Sequence, residues 1–493
     1  RSLAASGSGA DRHCRMSVTL CVSDIDFRMR NVRTRMPFRY GVATLTSVPI
    51  LHITLTGELG NGTQVRGYSA DILPPKWFDK DPAKQYQDNV EDLLFSAESA
   101  ARVLTQTAPA SVFELWRETY DATLSAGDGR GLNHLTAAHG STLMERAMID
   151  AVGRGIGLPY HSMLRSADNP LGIDLGQILP SLKGMAIADT VPSTPSASVA
   201  IRHTVGLTDP IDDGDIAVED RLSDGLPQSL RAYIDVQGLT HFKVKIQGDA
   251  ELDLERLRQI SRVVEVTDCL ISLDGNEQYS DLEPFESLLS RLAEDLPAFY
   301  KSISYIEQPL ERSVALEPQQ AERIRRISET KPMVVDESDG DLETFLQAID
   351  VGYRGVSTKN CKGLFKALAN AALVQTRSRE GTVFLLTAED LMNLPVVPLH
   401  QDLTHLAALG LDHAERNGHH YVRGLDHLTE SERSACLGAH NSLYKEDGAS
   451  ASLAVHKGRI NLNSLTIPGL GVDSDAVDTS SMIPLSDWYF DSL

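Results

Sequence analysis

Two periodicities divide the chain. From Ser17 to about Ser69, stretches rich in Val, Ile, Thr and Leu (VTLCVSDIDFRM, PILHITLTGEL, TQVRGYSA) predict strands, with a Gly-Asn-Gly turn at 60–62. Between the first two, RTRMPFRYGVATLT (33–46) reads as a loop. From Asp81 to about Leu164 the spacing turns helical. One helix is expected to start at Asp81-Pro82, one to be capped by Ser111, and one (STLMERAMIDAVGRGIG) to end at Gly157. Beyond a Pro-, Ser- and Asp-rich stretch at 192–220, short apolar runs alternate with amphipathic, helix-length segments.

The strand candidates in this second part are HFKVKI (241–246), CLISLD (269–274), SISYIE (302–307), PMVVDE (332–337), YRGVSTK (353–359) and TVFLLT (382–387). SVAIRHTVGL (198–207) before them and a candidate near Leu411–Glu415 after them bring the number to eight. Strict β/α alternation implies a parallel sheet with crossover helices, and eight strands favour a closed (β/α)8 TIM-type barrel over an open doubly wound sheet. The expected fold class is therefore α/β, a barrel preceded by an α+β domain. The expected organisation is a disordered leader over 1–15, with Met16 as an alternative start, then the α+β domain over 16–165. The barrel follows over 166–455 and a C-terminal segment over 456–493.

Composition narrows the function. The 493 residues are 42% hydrophobic and 23% charged, ordinary for a soluble enzyme. The net charge of −22 argues against nucleic-acid binding. No apolar run is long enough for a membrane span, so no membrane association is expected. Five cysteines, an odd number without a CxxC pair, point to a reduced, cytoplasmic protein.

Five consecutive strand candidates end in charge: Lys243 and Lys245; Asp274; Glu307; Asp336 with Glu337; and Lys359. The intervals between them have the length of single βα units. In a parallel barrel all strand C-termini open on one face, so these groups should converge. Three carboxylates with no Cys or His among them form a hard, all-oxygen donor set suited to Mg²⁺. Lysines nearby would balance the charge of an anionic substrate, and one could act as a base. A metal-bound carboxylate has an acidified α-proton.

In this ordered set the chain resembles the enolase superfamily and, within it, the muconate lactonizing enzyme-like subgroup (the mandelate racemase/muconate lactonizing enzyme family). The matching stretches are Lys243-Val-Lys245 on the second barrel strand, Asp274-Gly-Asn276 on the third and Glu307-Gln-Pro309 on the fourth. Asp336-Glu337-Ser338 on the fifth and Ser357-Thr-Lys359 on the sixth complete the set. The resemblance implies a modified, enolase-like barrel. The N-terminal domain would cap its mouth, and the C-terminal segment would return to that domain. It implies Mg²⁺, or Mn²⁺ in its place, on Asp274, Glu307 and Asp336. Lys245 and Lys359 would be acid/bases on opposite substrate faces, with Lys243 assisting electrostatically. Asn276 and Glu337 would orient these groups. The implied reaction is removal of the proton α to a carboxylate, giving a metal-stabilised enediolate. Racemisation, epimerisation, cycloisomerisation and syn-dehydration all remain open, and a symmetric homo-oligomer is implied.

Some residues depart from the pattern or stand outside it. The seventh strand ends Leu386-Thr387-Ala388-Glu389-Asp390, without the His of the mandelate racemase and acid-sugar dehydratase branches, which favours the lysine-pair subgroup. Glu389 is a candidate substrate contact, as are Arg35, Tyr40 and Trp77 on the two loops (33–46 and 70–78) placed to cap the barrel. His413, His419, His420 and His427 read as surface residues beyond the last strand, and His400 and His405 as structural. A Schiff-base enzyme using Lys245 or Lys359 would not call for three strand-end carboxylates. A non-catalytic scaffold would not call for both lysines.

Overall fold

The computed structural model describes residues 17–264, 269–379, 381–448 and 450–493. The leader expected over 1–15, with Met16, lies outside the described residues.

The N-terminal part is an antiparallel sheet of β1 (Thr19–Tyr40), β2 (Ala43–Leu59) and β3 (Gln64–Ile72), packed against α1 (Tyr86–Leu104), α2 (Val112–Arg130) and α3 (His134–Ile156). Residues 33–46, expected as a loop, form a β-hairpin. Phe38 pairs with Leu45 and Tyr40 with Ala43 across a two-residue tip at Gly41-Val42. Gly41 takes a left-handed φ of 47°, which a tight hairpin turn requires. Pro37, a strand-breaking signal in the sequence, sits in the register shift between Arg33 and Phe38. The helix expected from Asp81 begins instead at Tyr86. Gln85 and Asp88 form its capping box, while the Asp81 side chain accepts from Ala83 N in a preceding turn. α2 starts at its Ser111–Glu114 capping box, and α3 ends on left-handed Gly157.

α3 is buried on nearly every side. Small residues make this close packing feasible: a Cβ on Gly67 would stand 2.0 Å from Ala147 O. The helix also reaches the barrel. The Glu145 carboxyl oxygens accept from Leu364 N and Phe365 N (3.1 and 2.5 Å), capping the helix Leu364–Ser378.

Eight parallel strands follow: Ser198–Val205, His241–Lys245, Leu270–Asp274, Ile303–Glu307, Met333–Val335, Gly355–Thr358, Leu385–Ala388 and His413–Arg416. They are called barrel strands one to eight. Hydrogen-bonded neighbours run from seven down to one, and strand one then pairs with eight. Side chains bridge the remaining seam, where Arg202 donates to Ala388 O (2.8 Å) and Asp390 N donates to Glu415 (2.8 Å). The architecture is the expected modified (β/α)8 barrel with an N-terminal α+β domain. No helix among the described residues is long and apolar enough to cross a membrane.

Period-2 alternation sorts each strand. In HFKVK, Phe242 and Val244 are buried beneath the surrounding helices, while Lys243 and Lys245 share the opposite face, inside the barrel. Register then sets Lys245, Asp274 and Glu307 side by side in one row.

Candidate active site

The barrel mouth gathers the strand-end charges. Lys243 Nζ donates to Glu307 Oε1 (2.8 Å), Glu389 Oε2 (2.8 Å) and Glu415 Oε2 (2.9 Å), and lies 3.0 Å from Asp274 Oδ2. Lys245 Nζ donates to Asp274 Oδ2 (2.5 Å). Lys359 Nζ and Ser357 Oγ both donate to Asp336. Glu389 is gripped from behind by Arg202 (2.5 Å) and the Tyr305 hydroxyl (2.9 Å). Asn276 Nδ2 donates to Glu337 Oε1 (2.9 Å), and Asn276 N to Asp274 Oδ1 (2.9 Å).

The charges are unevenly compensated. Burial alone would lower the Lys243 pKa, but the four surrounding carboxylates hold it well above the usual lysine range. Burial would lower Lys359 as well, but Asp336, with Glu307 and Glu415, holds it above the usual lysine range. Asp336 is held far below the carboxylate range, since Lys359 and Lys362 overcome the cost of burying it. Glu415 is held low by Lys243 and Lys245 against the same cost. Glu307 goes the other way: burial, then Asp274 and Glu389, push its carboxyl well above the usual range. Five carboxylates face the three lysines and Arg202, with Lys362 also on Asp336 (3.5 Å); negative charge is in excess locally at Glu307, which Asp274 and Glu389 crowd.

That excess bears on a metal ion. Asp274, Glu307 and Asp336 are oxygen donors on three consecutive strand ends, and Glu307 Oε2, 2.8 Å from Lys243 Nζ, accepts no well-aligned hydrogen bond. A hard divalent cation suits this set by chemistry and charge. Among the described residues no three acidic, His or Cys side chains already stand grouped as a metal cage. These carboxylates are turned on to the lysines instead.

Above the charges lies a cavity. Phe38, Tyr40, Leu45, Ile72, Pro74 and Trp77 line it from the N-terminal domain. From the barrel come Lys245, Asn276, Lys359, Asp390, Leu391, Met392, Glu415 and Asn417. Trp77 covers Lys359, whose Nζ is 4.2 Å from the ring centroid. Tyr40 donates its hydroxyl to Pro75 O (2.8 Å).

Of the twelve candidate residues, Tyr40, Trp77, Lys245, Asn276 and Lys359 line the cavity. Lys243, Asp274, Glu307, Asp336 and Glu337 lie against one another and these groups at the barrel mouth, and Arg35 and Glu389 are held by other residues. Arg35 is bound in a two-point contact to Asp224 (2.6 and 2.9 Å) and also donates to Pro227 O and His420 O. It therefore anchors the N-terminal hairpin to a barrel loop and does not line the cavity. Glu389 lies beneath the floor, consumed by Lys243, Tyr305 and Arg202. Of the histidines expected on the surface, His420 is interior, 1% exposed, and His413, His419 and His427 are half-buried; His203 Nδ1 lies 3.1 Å from His419 Nε2. His419 and His420 pack with His203 and Tyr233 beside strand one, and burial disfavours a charged imidazole at His419. His419 is correspondingly pushed down to about 3.

Sequence reasoning missed Glu415, Arg202 and Lys80. Glu415 stands one residue before the end of strand eight, in the mixed stretch HAER, where no apolar run sets off a strand-end charge. Lys80 binds Glu277 (2.7 Å) from the loop above, donates to Asn276 O and stands 3.9 Å from Glu337. Only the fold brings Lys80 and Arg202 to the site.

Residues 226–478 match the family model described as enolase C-terminal domain-like. The chain belongs to this family. It is thus an enolase-superfamily protein of the mandelate racemase/muconate lactonizing enzyme kind. No curated protein matches its sequence significantly. Among solved structures, an enolase from Bradyrhizobium complexed with magnesium and mandelic acid shares 16% identity, with 92% of this chain and 96% of that one covered at TM-score 0.58. The dipeptide epimerase from Enterococcus faecalis V583, complexed with Mg and L-Leu-L-Tyr, gives 14%, 92%, 99% and 0.57. The N-succinyl Arg/Lys racemase from Bacillus cereus gives 15%, 94%, 97% and 0.58. At these identities the likeness establishes the enolase-superfamily fold.

Proposed function

We propose that the protein removes the proton α to a substrate carboxylate, as a racemase, epimerase or cycloisomerase. One observation carries this reading. Lys245 and Lys359 line the same cavity from barrel strands two and six, four strands apart in a ring of eight, and so approach it from opposite sides. One lysine can take the α-proton and the other return a proton to the opposite face. Lys243, enclosed by four carboxylates, serves as a fixed positive charge and not as a base. Asn276 and Glu337 hold each other and steady the Asp274 end of the site. Asp274, Glu307 and Asp336 would hold Mg²⁺, or Mn²⁺ in its place, and this dication would supply the charge that acidifies the α-proton and stabilises the enediolate. Trp77 and the N-terminal hairpin exclude water from the lysines.

The second reading is syn elimination of water on the same residues. Lys245 alone would then take the proton, while Lys359 stays charged beside Asp336. Free thiols at Cys21, Cys269, Cys361 and Cys436 support a cytoplasmic setting, and family membership supports a homo-oligomer.

The test is proton NMR in D₂O with Mg²⁺, comparing wild type with Lys245→Ala and Lys359→Ala on a panel of chiral carboxylic acids. Two-base chemistry predicts deuterium at the α-carbon in wild type, and exchange from only one enantiomer in each variant. One-base elimination predicts that Lys245→Ala alone abolishes exchange. Absence of exchange in metal-loaded wild type, on substrates that bind, would refute proton abstraction.

A further inference from the structure

The cavity wall restricts what the site can accept. Phe38, Tyr40, Ile72, Trp77, Leu391 and Met392 make its larger surface apolar and partly aromatic. Phe38 is fixed by stacking on Tyr421 at 4.1 Å. The atom-free space between these walls and the lysines is ≈ 400 Å³, open solvent included, room for a small molecule only.

Among the described residues, four charged side chains line the cavity, and each already has a partner within the protein. Lys245 meets Asp274 (2.5 Å), and Lys359 meets Asp336. Glu415 meets Lys243 (2.9 Å). Asp390 accepts from the backbone of Asn393 (2.9 Å) and Asn417 (3.0 Å) and faces Arg416 at 3.4 Å. No arginine or histidine is in the lining. With a dication on Asp274 and Asp336, Lys245 and Lys359 would be committed to the α-carbon as its acid/base pair, so a second carboxylate on the substrate would find no further cation, and a substrate ammonium no free anion. Either would be a buried, unpaired charge. Neutral polarity is also scarce. The unpartnered buried side-chain atoms in the lining are Asn276 Oδ1 and Asn417 Oδ1, enough for one or two donors but not for a polyol.

We infer that the substrate is a small monocarboxylate with one apolar or aromatic arm, no second charge, and at most a neutral hydroxyl or acylamino group beside the α-carbon. The inference rests on the proton-abstraction reading for the placement of the carboxylate near the lysines. It excludes dicarboxylates, free amino acids and dipeptides, and polyhydroxy acids.

Five probes test it on the wild-type protein: 2-phenylpropanoate and 3-phenyllactate against phenylalanine, phenylsuccinate and gluconate. Binding is measured calorimetrically with and without Mg²⁺, and α-proton exchange by NMR in D₂O. The first two acids are expected to bind about a hundredfold tighter, or more, than phenylalanine and phenylsuccinate, the scale set by one uncompensated charge, and tighter than gluconate, whose hydroxyls find too few partners. Selective binding of those two without exchange would uphold the inference and refute the proton-abstraction reading. Equal or tighter binding, or faster exchange, with phenylalanine, phenylsuccinate or gluconate would overturn the inference while leaving proton abstraction intact. Binding of none of the five would overturn the inference as well.

Discussion

Replacing Arg312 by Met should loosen the loop that roofs the cavity while leaving the sheets intact. The loop between β3 and α1 carries Pro74 and Trp77 into the cavity wall. Arg312, at the barrel mouth, holds it from below. Its Nη1 donates to Phe78 O (2.7 Å) and its Nη2 to Trp77 O (3.0 Å). The same guanidinium binds Glu277 through Nε (2.7 Å) and Nη2 (2.8 Å). Glu277 in turn holds Lys80 of the loop at 2.7 Å. Glu277 sits at φ 66° beside Asn276 at φ 41°, conformations that surrounding contacts must maintain.

The magnitude follows from these contacts. Breaking a fully buried ion pair costs about 3–5 kcal/mol. The Arg312 side chain is 24% exposed, and Glu277 keeps Lys80, so the lower end applies, ~3 kcal/mol. At ~1.4 kcal/mol per tenfold, the open population of the loop should rise about a hundredfold. Native-state hydrogen exchange measures this directly. The amides of Lys76, which donates to Asn89, and Lys84, which donates to Asp81 O, should lose about a hundredfold in protection. Amides paired between β1 and β2 should keep theirs. Unchanged protection at Lys76 and Lys84, or an equal loss everywhere, would refute the argument that Arg312 is the latch.

Two further predictions concern buried charges near the sixth strand. Asp339 pairs with Lys362 (2.8 Å) and Lys366 (3.0 Å), all buried, so Asp339→Asn should destabilise the fold by about 3–5 kcal/mol in urea unfolding; a change below about 1 kcal/mol would show the pairs to be dispensable. Burial raises the Glu145 carboxyl from 4.5 to about 8 in the folded protein, even though it caps two backbone N–H groups. The folded state therefore holds a proton that the unfolded chain has released. This contribution to stability is complete below about pH 4.5 and is lost as pH rises through about 8. Its slope is up to ~1.4 kcal/mol per pH unit. Glu145→Gln should flatten the pH dependence of the urea midpoint in that window, and identical wild-type and variant profiles would refute the assignment.

What the sequence disclosed about this site depended on contrast. Apolar strands that end in charge stand out, so Lys243, Lys245, Asp274, Glu307, Asp336 and Lys359 were legible one strand at a time. Where a strand is mixed throughout, the contrast fails. SVAIRHTV places Arg202 and Thr204 inside the barrel and His203 outside. Alternation alone separates these two faces without saying which one lines the barrel interior. HAER hides Glu415 in the same way. The Arg33–Thr46 hairpin was obscured because Pro37 reads as a breaker, and only pairing with β2 shows that it occupies a bulge.

Arg35 and Glu389 illustrate a deeper limit. Both are charged and both lie close in sequence to residues of the cavity, which made each a plausible substrate contact. Whether a charge is available to a substrate depends on what the rest of the chain has already placed against it. Asp224 is 189 positions from Arg35, and Arg202 is 187 positions from Glu389. In a barrel interior each buried charge is tolerated only because other strands supply its partners, so availability is a property of the whole ring. Lys243 shows the consequence: its position marks it as active-site chemistry, but four carboxylates from four other strands fix it as a permanent cation. Lys245 and Lys359 have one carboxylate contact each and face the cavity, which leaves them, of the three, to handle a proton.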